Sequence, residues 1–399
     1  MAETTELALV RCASIDDATA ARAPADVASS LVPIEALDVA QWRKLSERAI
    51  EPNGYYLADW MLAVNASAPG RTGAAALAAW HKASPQQLAG LMPAVSLWRA
   101  FRIPLPALAS AHPYGTLCTP LLDRGQAEQA AAGLLQAARE AGAHALILRE
   151  TSLDGETMRL LSDVARRDGL KPRVLQSYRR AELDATADAE SLLRNALGRK
   201  KLKELRRQRH RLEEHGPMSV AVARAPQEVA AAIEIFLELE ASGWKGKRGT
   251  ALLQGPGDAA FIRRATVALA AQGSCEIVTL RAGETPVAAG IVLRQNTRAF
   301  FFKLGVDERF AKFSPGVQLT LELTRHLCAD PQIESADSTA SPDHPMINPI
   351  WRGRLAIGDV LIPLRRNDPV VAAIHAALVA RQTLRGLARA AIHVLRKRR

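Results

Sequence analysis

The chain has 399 residues, of which 48% are hydrophobic, a formal net charge of +11 and four cysteines. This length is more than one compact core usually accommodates, so it predicts two domains, and the hydrophobic content is ordinary for packed domains. The cysteines are widely separated without CxxC spacing, which fits buried thiols in a reducing compartment better than a disulfide framework or a zinc site. No stretch has the order of a secretory signal or the length of a membrane span, so we expect a cytoplasmic protein.

The positive charge is concentrated in two segments. Residues 194–212 carry nine Lys or Arg and one acid, and residues 365–399 also carry nine and one. Each segment therefore holds +8, which leaves −5 for the rest of the chain. A duplex-binding protein usually spreads its positive charge over one face. Nucleic acid is therefore not an expected partner, and the two basic segments need a local explanation.

The first half of the sequence predicts alternating helices and short strands. Residues 1–30 are rich in Ala, Asp, Ser and Thr without an apolar period, and we interpret them as a flexible leader. Apolar spacing and turn residues then predict a helix over 37–49, a meander of strands over 74–80, 88–98 and 114–122, a helix over 128–142, a strand over 144–150, a helix over 155–168 and a strand over 172–183.

The second half repeats this order after a basic helix. The predicted elements are a strand over 218–224, helices over 226–241 and 258–272, a hairpin over 275–282 and 286–294, a strand over 298–306, a helix over 316–329, and strands over 332–339 and 355–362. The repeat predicts a mixed α/β fold with two similar domains, 31–184 and 185–368. A basic amphipathic helix over 369–399 would follow them.

A short loop in the second half has the form of a phosphate-binding turn. Ser314-Pro315-Gly316 joins an aromatic-rich strand directly to a helix. Proline is tolerated at a helix start, and glycine lets a ligand approach the backbone closely. The first-turn N–H groups of Val317, Gln318 and Leu319 would then suit a pyrophosphate. The same three residues are also ordinary helix-capping chemistry, and both interpretations remain open at this point.

Four segments of the chain carry a family resemblance: FLELEASGWKGKRGTAL (236–252), AAGIVLR (288–294), FFFKLGVDERFAKFSPGVQLTLELTRHL (300–327) and ADSTASPDHPMINPIWRGR (336–354). They resemble the GCN5-related N-acetyltransferase (GNAT) superfamily, and more closely the CelD-type acyltransferases associated with bacterial cellulose biosynthesis. The resemblance implies two tandem GNAT-like domains, an architecture shared with the Fem peptidyltransferases. It also implies acetyl-CoA or another acyl-CoA as co-substrate.

The resemblance places the acyl-CoA at the loop just described, on Ser314, Gly316, Val317 and Gln318. The usual GNAT loop, with two glycines, is shortened here to Ser314-Pro315-Gly316, which leaves the identity of the acyl carrier open. No loop before the helix over 128–142 carries a comparable glycine signal. We therefore expect the N-terminal domain to be degenerate.

Three residues near the end of the resemblance are candidates for catalysis. Asp337 would lie at the end of a strand, where open α/β sheets commonly bind ligands. Asp343 and His344 follow in a proline-flanked loop. A histidine beside a carboxylate can take a proton from an attacking hydroxyl or amine, so His344 is the predicted base, oriented by Asp343 or Asp337. The alternative is that Asp337 caps a turn and that Asp343 and His344 lie in a solvated loop.

A glycine-rich loop over 243–252 is the candidate acceptor site. Trp244 offers a flat apolar face and Lys245 a cation, which together suit an anionic group or a sugar ring. An exposed loop anchored by its tryptophan is equally compatible with the sequence. We add Trp351, in the last matching segment, to the predicted substrate-binding residues. No metal is expected.

The predicted function is an acyltransferase that acts on a saccharide or small hydroxyl or amine acceptor, in cellulose or exopolysaccharide biosynthesis. One alternative is a Fem-like transferase that uses aminoacyl-tRNA, favoured by the basic helix. Another is a non-catalytic scaffold subunit of a polysaccharide synthase. The tail 370–399 places Leu and Ile among Arg residues, which predicts peripheral contact with the inner face of the membrane. A helix packed on the second domain is the alternative for this tail.

Overall fold

The computed structural model describes residues 27–81 and 87–397, without the side chains of 27, 244, 245 and 388–397. The helices are α1 Val39–Arg48, α2 Ala58–Ser67, α3 Leu97–Phe101, α4 Ala127–Glu140, α5 Glu156–Arg167, α6 Ala189–Glu213, α7 Pro226–Ser242, α8 Trp244–Lys247, α9 Pro256–Ala270, α10 Pro315–Cys328 and α11 Pro369–Lys397. The strands are β1 Val27–Pro33, β2 Ala75–His81, β3 Leu88–Ser96, β4 Ala107–Ser110, β5 Leu121–Leu122, β6 Ala145–Ser152, β7 Arg173–Asp184, β8 Met218–Ala223, β9 Cys275–Ala282, β10 Thr285–Gln295, β11 Arg298–Val306, β12 Ser335–Asp337 and β13 Gly353–Pro363.

All described strands join one mixed sheet in the order β1-β2-β3-β4-β6-β13-β7-β12-β11-β10-β9-β8, with β5 beside β3. Each half of the chain contributes an antiparallel meander followed by one parallel pair, β4 with β6 and β11 with β12. In both halves a helix, α4 or α10, makes the crossover between the parallel strands. This repetition confirms the predicted fold class, a mixed α/β protein with two GNAT-like halves.

The two halves exchange their final strands. β7, from the first half, pairs with β12 of the second, while β13, from the second half, pairs with β6 of the first. β7 and β13 also pair with each other from Gly353↔Glu182 to Leu361↔Arg173. The sheet is therefore continuous across the predicted boundary between the two domains, at residues 184 and 185. The domain boundaries remain a prediction.

The third strand of the first meander is not where the sequence placed it. Only Leu121–Leu122 of the predicted strand over 114–122 is extended, and β4 takes the third position instead. The Asn53 side chain explains the difference, because its amide donates to the carbonyls of Leu117 and Thr119 and holds the segment as a loop. Residues 27–30 of the predicted leader form the start of β1, and residues 1–26 lie outside the described part of the chain.

One hydrophobic core joins the halves. Trp60 of α2 packs edge-on against Phe261 of α9, with ring centroids 5.0 Å apart. Gly54 lies against the ring of Phe300, so closely that a Cβ there would be 2.8 Å from the ring edge. Tyr55 packs between the halves, 5.6 Å from Trp60 and 5.8 Å from Phe300. Separating the halves would expose these rings to water at a large free-energy cost.

The basic segment that precedes the second meander is α6. It bends at Gly198, which adopts a positive φ of 71° that glycine tolerates best. The buried residues Leu193, Leu205 and Leu212 face the body, and most of the Lys and Arg side chains are exposed. Within residues 27–81 and 87–397, no helix is long and apolar enough to cross a membrane.

Candidate functional site

The strands β11 and β12 separate in the middle of the sheet. Their parallel pairing ends at Phe300↔Asp337, after which no strand pairs with β11 on that side as far as Val306, although the Thr339 hydroxyl donates to the Phe301 carbonyl at 2.6 Å. β11 also contains a bulge, because Val292 faces Phe301 and Ile291 faces Lys303, leaving Phe302 unpaired. Bulges and strand separations of this kind are frequent beside active sites, since both expose backbone groups to a ligand.

Helix α10 begins directly after this strand and a 3-10 turn over Glu308–Phe313. Ser314 holds a left-handed conformation with φ of 54°, and its side chain does not cap the helix. The N–H of Gln318 is taken by the Ser314 carbonyl at 3.0 Å. Within the described residues, the N–H groups of Gly316 and Val317 have no partner. These two donors, rather than Gln318, suit an anion at the helix start.

Gly316 brings α10 close to β11. A Cβ at this position would lie 3.0 Å from Leu304 and 3.2 Å from Val306, so a larger residue would push the helix away from the strand. The side chain of Gln318 is buried and donates to the Leu205 carbonyl at 2.9 Å. The glycine and the glutamine therefore fix α10 between β11 and the basic helix α6.

A surface pocket of about 300 Å³ lies between α6 and α10. Arg206 and Arg209 line it from α6, and Glu322 and Arg325 from α10. Arg209 pairs with Glu322, and Arg325 pairs with both Glu322 and Glu190. These ion pairs hold the two helices together and leave Arg206 exposed beside the pocket.

Asp337 forms a buried ion pair with Arg180 of β7, and both side chains are fully enclosed. Arg180 also donates to the carbonyl and the hydroxyl of Thr116, while the second oxygen of Asp337 accepts from the Thr339 N–H at 2.8 Å. The Thr116 hydroxyl in turn donates to the Thr339 carbonyl. Asp337 therefore connects a loop of the first half, the exchanged strand β7 and the segment after β12.

The hydroxyl of Tyr55 enters the same polar cluster. Burial raises the pKa of Tyr55 well above its ordinary value, and within the described residues its hydroxyl makes no hydrogen bond. Thr339 and Glu150 both hold positive φ angles, 49° and 42°, which is costly for residues other than glycine. Such strain persists only where the surroundings fix the backbone, and it is most common at functional sites.

His344 and Asp343 do not form the arrangement that the sequence suggested. Within the described residues no ion pair or hydrogen bond joins His344 to Asp343 or Asp337, and Asp343 is exposed. The His344 Nδ1 accepts from the N–H groups of Met346 and Ile347, both at 3.4 Å. Burial lowers the pKa of His344, so the ring is neutral near pH 7. With Nδ1 accepting, the proton of the neutral ring is assigned to Nε2. The role of His344 as a base remains a prediction.

The predicted acceptor residues occupy different environments. Trp351 is fully buried, and its indole N–H donates to the Thr324 hydroxyl at 2.9 Å, which is the position of a core residue. The side chains of Trp244 and Lys245 lie outside the described residues. Their backbone forms the short helix α8, directly after α7. Their assignment to substrate binding remains a prediction.

A pair that the sequence did not single out lies beside the bulge of β11. Lys303 donates to Glu240 at 3.3 Å, and the other oxygen of Glu240 accepts from the Leu252 N–H at 2.9 Å. Glu240 is buried on α7. The pair thus fastens the end of the predicted acceptor loop to β11. A lone lysine in the apolar strand FFFKLGV was the available sequence signal.

The first half contributes Tyr114 to the same region. The Arg71 guanidinium lies 4.4 Å from the centre of the Tyr114 ring, and the Lys303 amine 5.9 Å from it. The ring also packs on Phe261 of α9, with centroids 4.8 Å apart. Tyr114 is only half-buried, so this face of β11 combines cations and an aromatic ring from both halves.

The described thiols are unsuited to covalent catalysis. Burial raises the pKa of Cys118 to about 12, raises that of Cys275 further and also raises that of the half-buried Cys328, so none of the three is a thiolate near pH 7. In the described part of the chain, no group of three or more His, Cys, Asp or Glu side chains could hold a metal ion.

Comparison with known families agrees with this architecture. Residues 199–344 match the model of the acetyltransferase (GNAT) domain, and this segment contains β11, α10 and β12. The second half of the chain carries a GNAT-type acetyltransferase domain. The sequence resemblance to the GNAT superfamily is thereby confirmed, whereas the CelD-type assignment remains a prediction. No curated protein sequence matches the chain.

Two solved structures share the fold over most of the chain. One is the C-terminal domain of a protein assigned as a lysylphosphatidylglycerol synthetase from Agrobacterium fabrum, with 14% identity, a TM-score of 0.52, and coverage of 86% of this chain and 95% of that one. The other is FemX, with 11% identity, a TM-score of 0.56, and coverage of 85% and 98%. At these identities the similarity concerns the fold alone, and it extends beyond the GNAT domain into the first half.

Proposed function

We propose that this protein transfers an acetyl or other acyl group from acyl-CoA to a hydroxyl or amine group of a saccharide or small acceptor. The observation that carries the proposal is the start of α10. Two unpartnered N–H groups, of Gly316 and Val317, lie there directly after the strand that separates from β12. This arrangement lies inside the segment that matches the GNAT model.

The backbone would supply most of the acyl-CoA contacts. The N–H groups of Gly316 and Val317 would hold the diphosphate, because a helix start favours negative charge. The edge of β11 beyond Phe300, which has no strand partner on the β12 side, would align the extended pantetheine arm. Exposed cations nearby, Lys312 and Arg206, would favour the remaining negative charge.

Transfer would proceed by direct attack on the thioester. The acceptor oxygen or nitrogen forms a bond to the thioester carbonyl carbon, the carbon–sulfur bond breaks, and coenzyme A leaves as a thiolate. The proton released by the acceptor passes to a base on the protein. His344 is the base that the sequence predicts, but its Nδ1 would first have to release the N–H groups of Met346 and Ile347. The buried carboxylate of Glu240 is a second candidate because it lies beside Lys303 on the acceptor side of β11.

Isothermal calorimetry with acetyl-CoA tests this proposal. We expect a Kd between about 1 µM and 1 mM for the parent protein, the range typical of enzyme substrates. Gly316→Val should weaken binding at least about tenfold, since its side chain would press on Leu304 and shift the helix start. Gly386→Val is the matched control, because a Cβ there contacts nothing and binding should be unchanged. No heat from the parent protein would contradict the proposal and favour the scaffold alternative.

The second candidate function is an aminoacyl-tRNA-dependent transfer. Its support is the exposed basic surface of α6, with Lys200, Lys203 and Arg206, together with the shared fold of FemX. Against it, α6 ends at Glu213 and β8 begins at Met218, which leaves no room between them for a second long helix. Incubation with radiolabelled acetyl-CoA and with charged tRNA distinguishes the candidates. Consumption of charged tRNA alone, lost in a Lys200→Gln, Lys203→Gln, Arg206→Gln variant, would favour the tRNA route.

The acceptor and pathway follow from the resemblance to CelD-type enzymes. A saccharide precursor of cellulose or another exopolysaccharide would fit the aromatic and cationic face formed by Tyr114, Arg71 and Lys303, since sugars stack on aromatic rings and bond to charged donors. Turnover of acetyl-CoA against a panel of sugars and amines tests this assignment. Tyr114→Ala should raise the KM for the acceptor and leave the Kd for acetyl-CoA unchanged.

A further inference from the structure

The C-terminal helix α11 has two differently covered parts. Near its start, Val371, Ile374 and Leu378 are buried in a cluster with Leu97 and Ile103. Arg381 ends this attachment, since its guanidinium donates to the Phe101 carbonyl at 3.1 Å and lies 4.9 Å from the Phe101 ring. Residues 383–387 are exposed, with Leu384 at 67% and Leu387 at 63% of full accessibility.

The exposed leucines face away from the body of the protein. At about 100° per residue, Leu387 lies roughly 140° around the helix from the buried Ile374, and Leu384 roughly 80° from it. Arg385, in contrast, lies within roughly 20° of Ile374. The helix therefore packs on the protein through one face and carries Leu384 and Leu387 on another. A simple continuation of the packing against the body would not cover them.

Other exposed apolar residues lie on the same part of the surface. Of the seven large hydrophobic side chains that are exposed among the described residues, three are on α11 and a fourth, Trp98, is on the adjoining α3. Trp98 is 44% exposed, with the Arg102 guanidinium 5.5 Å from its ring. Exposed tryptophan with arginine is typical of surfaces that meet the headgroup region of a membrane.

The charge of α11 indicates which kind of surface would cover its exposed leucines. Residues 369–399 contain seven Lys or Arg and no Asp or Glu. A neutral protein partner would leave this charge unmatched, whereas the negative potential of an anionic bilayer attracts the basic helix as a whole. We propose that α11 lies on an anionic membrane surface, with Leu384 and Leu387 in the acyl boundary. The body would then be held on the opposite side of the helix.

Vesicle co-sedimentation of the full chain tests the proposal. The probes are vesicles of mixed phosphatidylglycerol and phosphatidylcholine and vesicles of phosphatidylcholine alone. We expect binding to the mixed vesicles, weakened by salt and largely lost with phosphatidylcholine alone. Leu384→Glu with Leu387→Glu should reduce the partition coefficient about a hundredfold or more, because two buried leucines are lost and two acids gained. Arg385→Gln, on the side of the helix turned away from the leucines, should reduce it by at most about fivefold.

Leu253→Glu provides the matched control. Leu253 is 40% exposed but lies in the turn between α8 and α9, so its substitution should leave vesicle binding unchanged. Leu384 and Leu387 are not part of the core cluster that holds the start of α11, and the double variant should keep the parent melting temperature. Equal binding to both kinds of vesicle, equal binding by the double variant, or no binding at all would overturn the proposal. Binding to RNA but not to vesicles would reassign the surface to nucleic acid.

Discussion

Helices α4 and α10 occupy the same place in the two halves but begin very differently. Sixteen residues, 111–126, separate β4 from α4, and this segment is folded inward, with Thr116 held by Arg180. Only eight residues, 307–314, separate β11 from α10. The first turn of α4 carries Glu128, whereas the first turn of α10 begins with Pro-Gly and carries no acid.

This difference separates a structural helix start from one that suits an anion. Glu128 satisfies the positive end of α4 from within the protein and pairs with Arg167. The start of α10 leaves that favourable position for a ligand. The two halves therefore share one fold, and the long loop of the first half forms part of the junction between them. The predicted degeneracy of the first domain is compatible with this comparison and remains a prediction.

The largest expected effect comes from breaking the junction. Asp337→Ala should lower the free energy of unfolding by about 3–5 kcal/mol, because Arg180 would keep a buried charge without its partner. Chemical denaturation of the parent and of Asp337→Ala measures this loss. A single cooperative transition that shifts as a whole in the variant would show that both halves depend on this pair. Arg180→Met with Asp337→Leu should be less destabilised than Asp337→Ala, and Glu156→Gln, in an exposed ion pair, should be near the parent. If the double variant loses as much stability as its two single substitutions together, this account is wrong.

An acid at the start of α10 should make it resemble α4. Val317→Glu is expected to weaken acetyl-CoA binding about tenfold, since a carboxylate would lie beside the two donors that hold the diphosphate. Calorimetry of Val317→Gln, of the same length but uncharged, separates charge from size. Glu128→Gln in the first half should change nothing. A loss of affinity with Glu128→Gln would mean that the first half also binds the acyl carrier.

A smaller effect is expected from the titration of His112, in the first half. Burial, with Arg149 and Arg71 nearby, lowers the pKa of His112 to about 3, against about 6.5 when unfolded. The unfolded chain therefore binds more protons, and the contribution of His112 to stability is complete above pH 6.5 and is lost as the pH falls toward 3. His112→Asn should remove about 1 kcal/mol of the stability difference between pH 8 and pH 6. If the free energy of unfolding changes equally with pH in the parent and in His112→Asn, the prediction is wrong.

Much of the second half could be predicted from the sequence because its signals are local. The hairpin at Gly283, the strand over 298–306 and the helix that starts at Pro315 depend on alternation, turn residues and helix-start chemistry within a few positions. The phosphate-binding turn belongs to the same class. Its free donors are one residue earlier than predicted, since the first helical bond uses the N–H of Gln318.

Only the tertiary structure decided how the halves combine. Arg180 and Asp337 are 157 positions apart, and nothing in the sequence near either residue identifies its partner. The exchange of β7 and β13 is equally non-local, because strand pairing depends on which edges meet after the chain has folded. For the same reason the sequence placed Asp337 beside His344, its near neighbour along the chain, whereas folding placed it against Arg180. Local patterns thus determine the elements and the start of α10, and long-range packing determines which side chains meet at the junction.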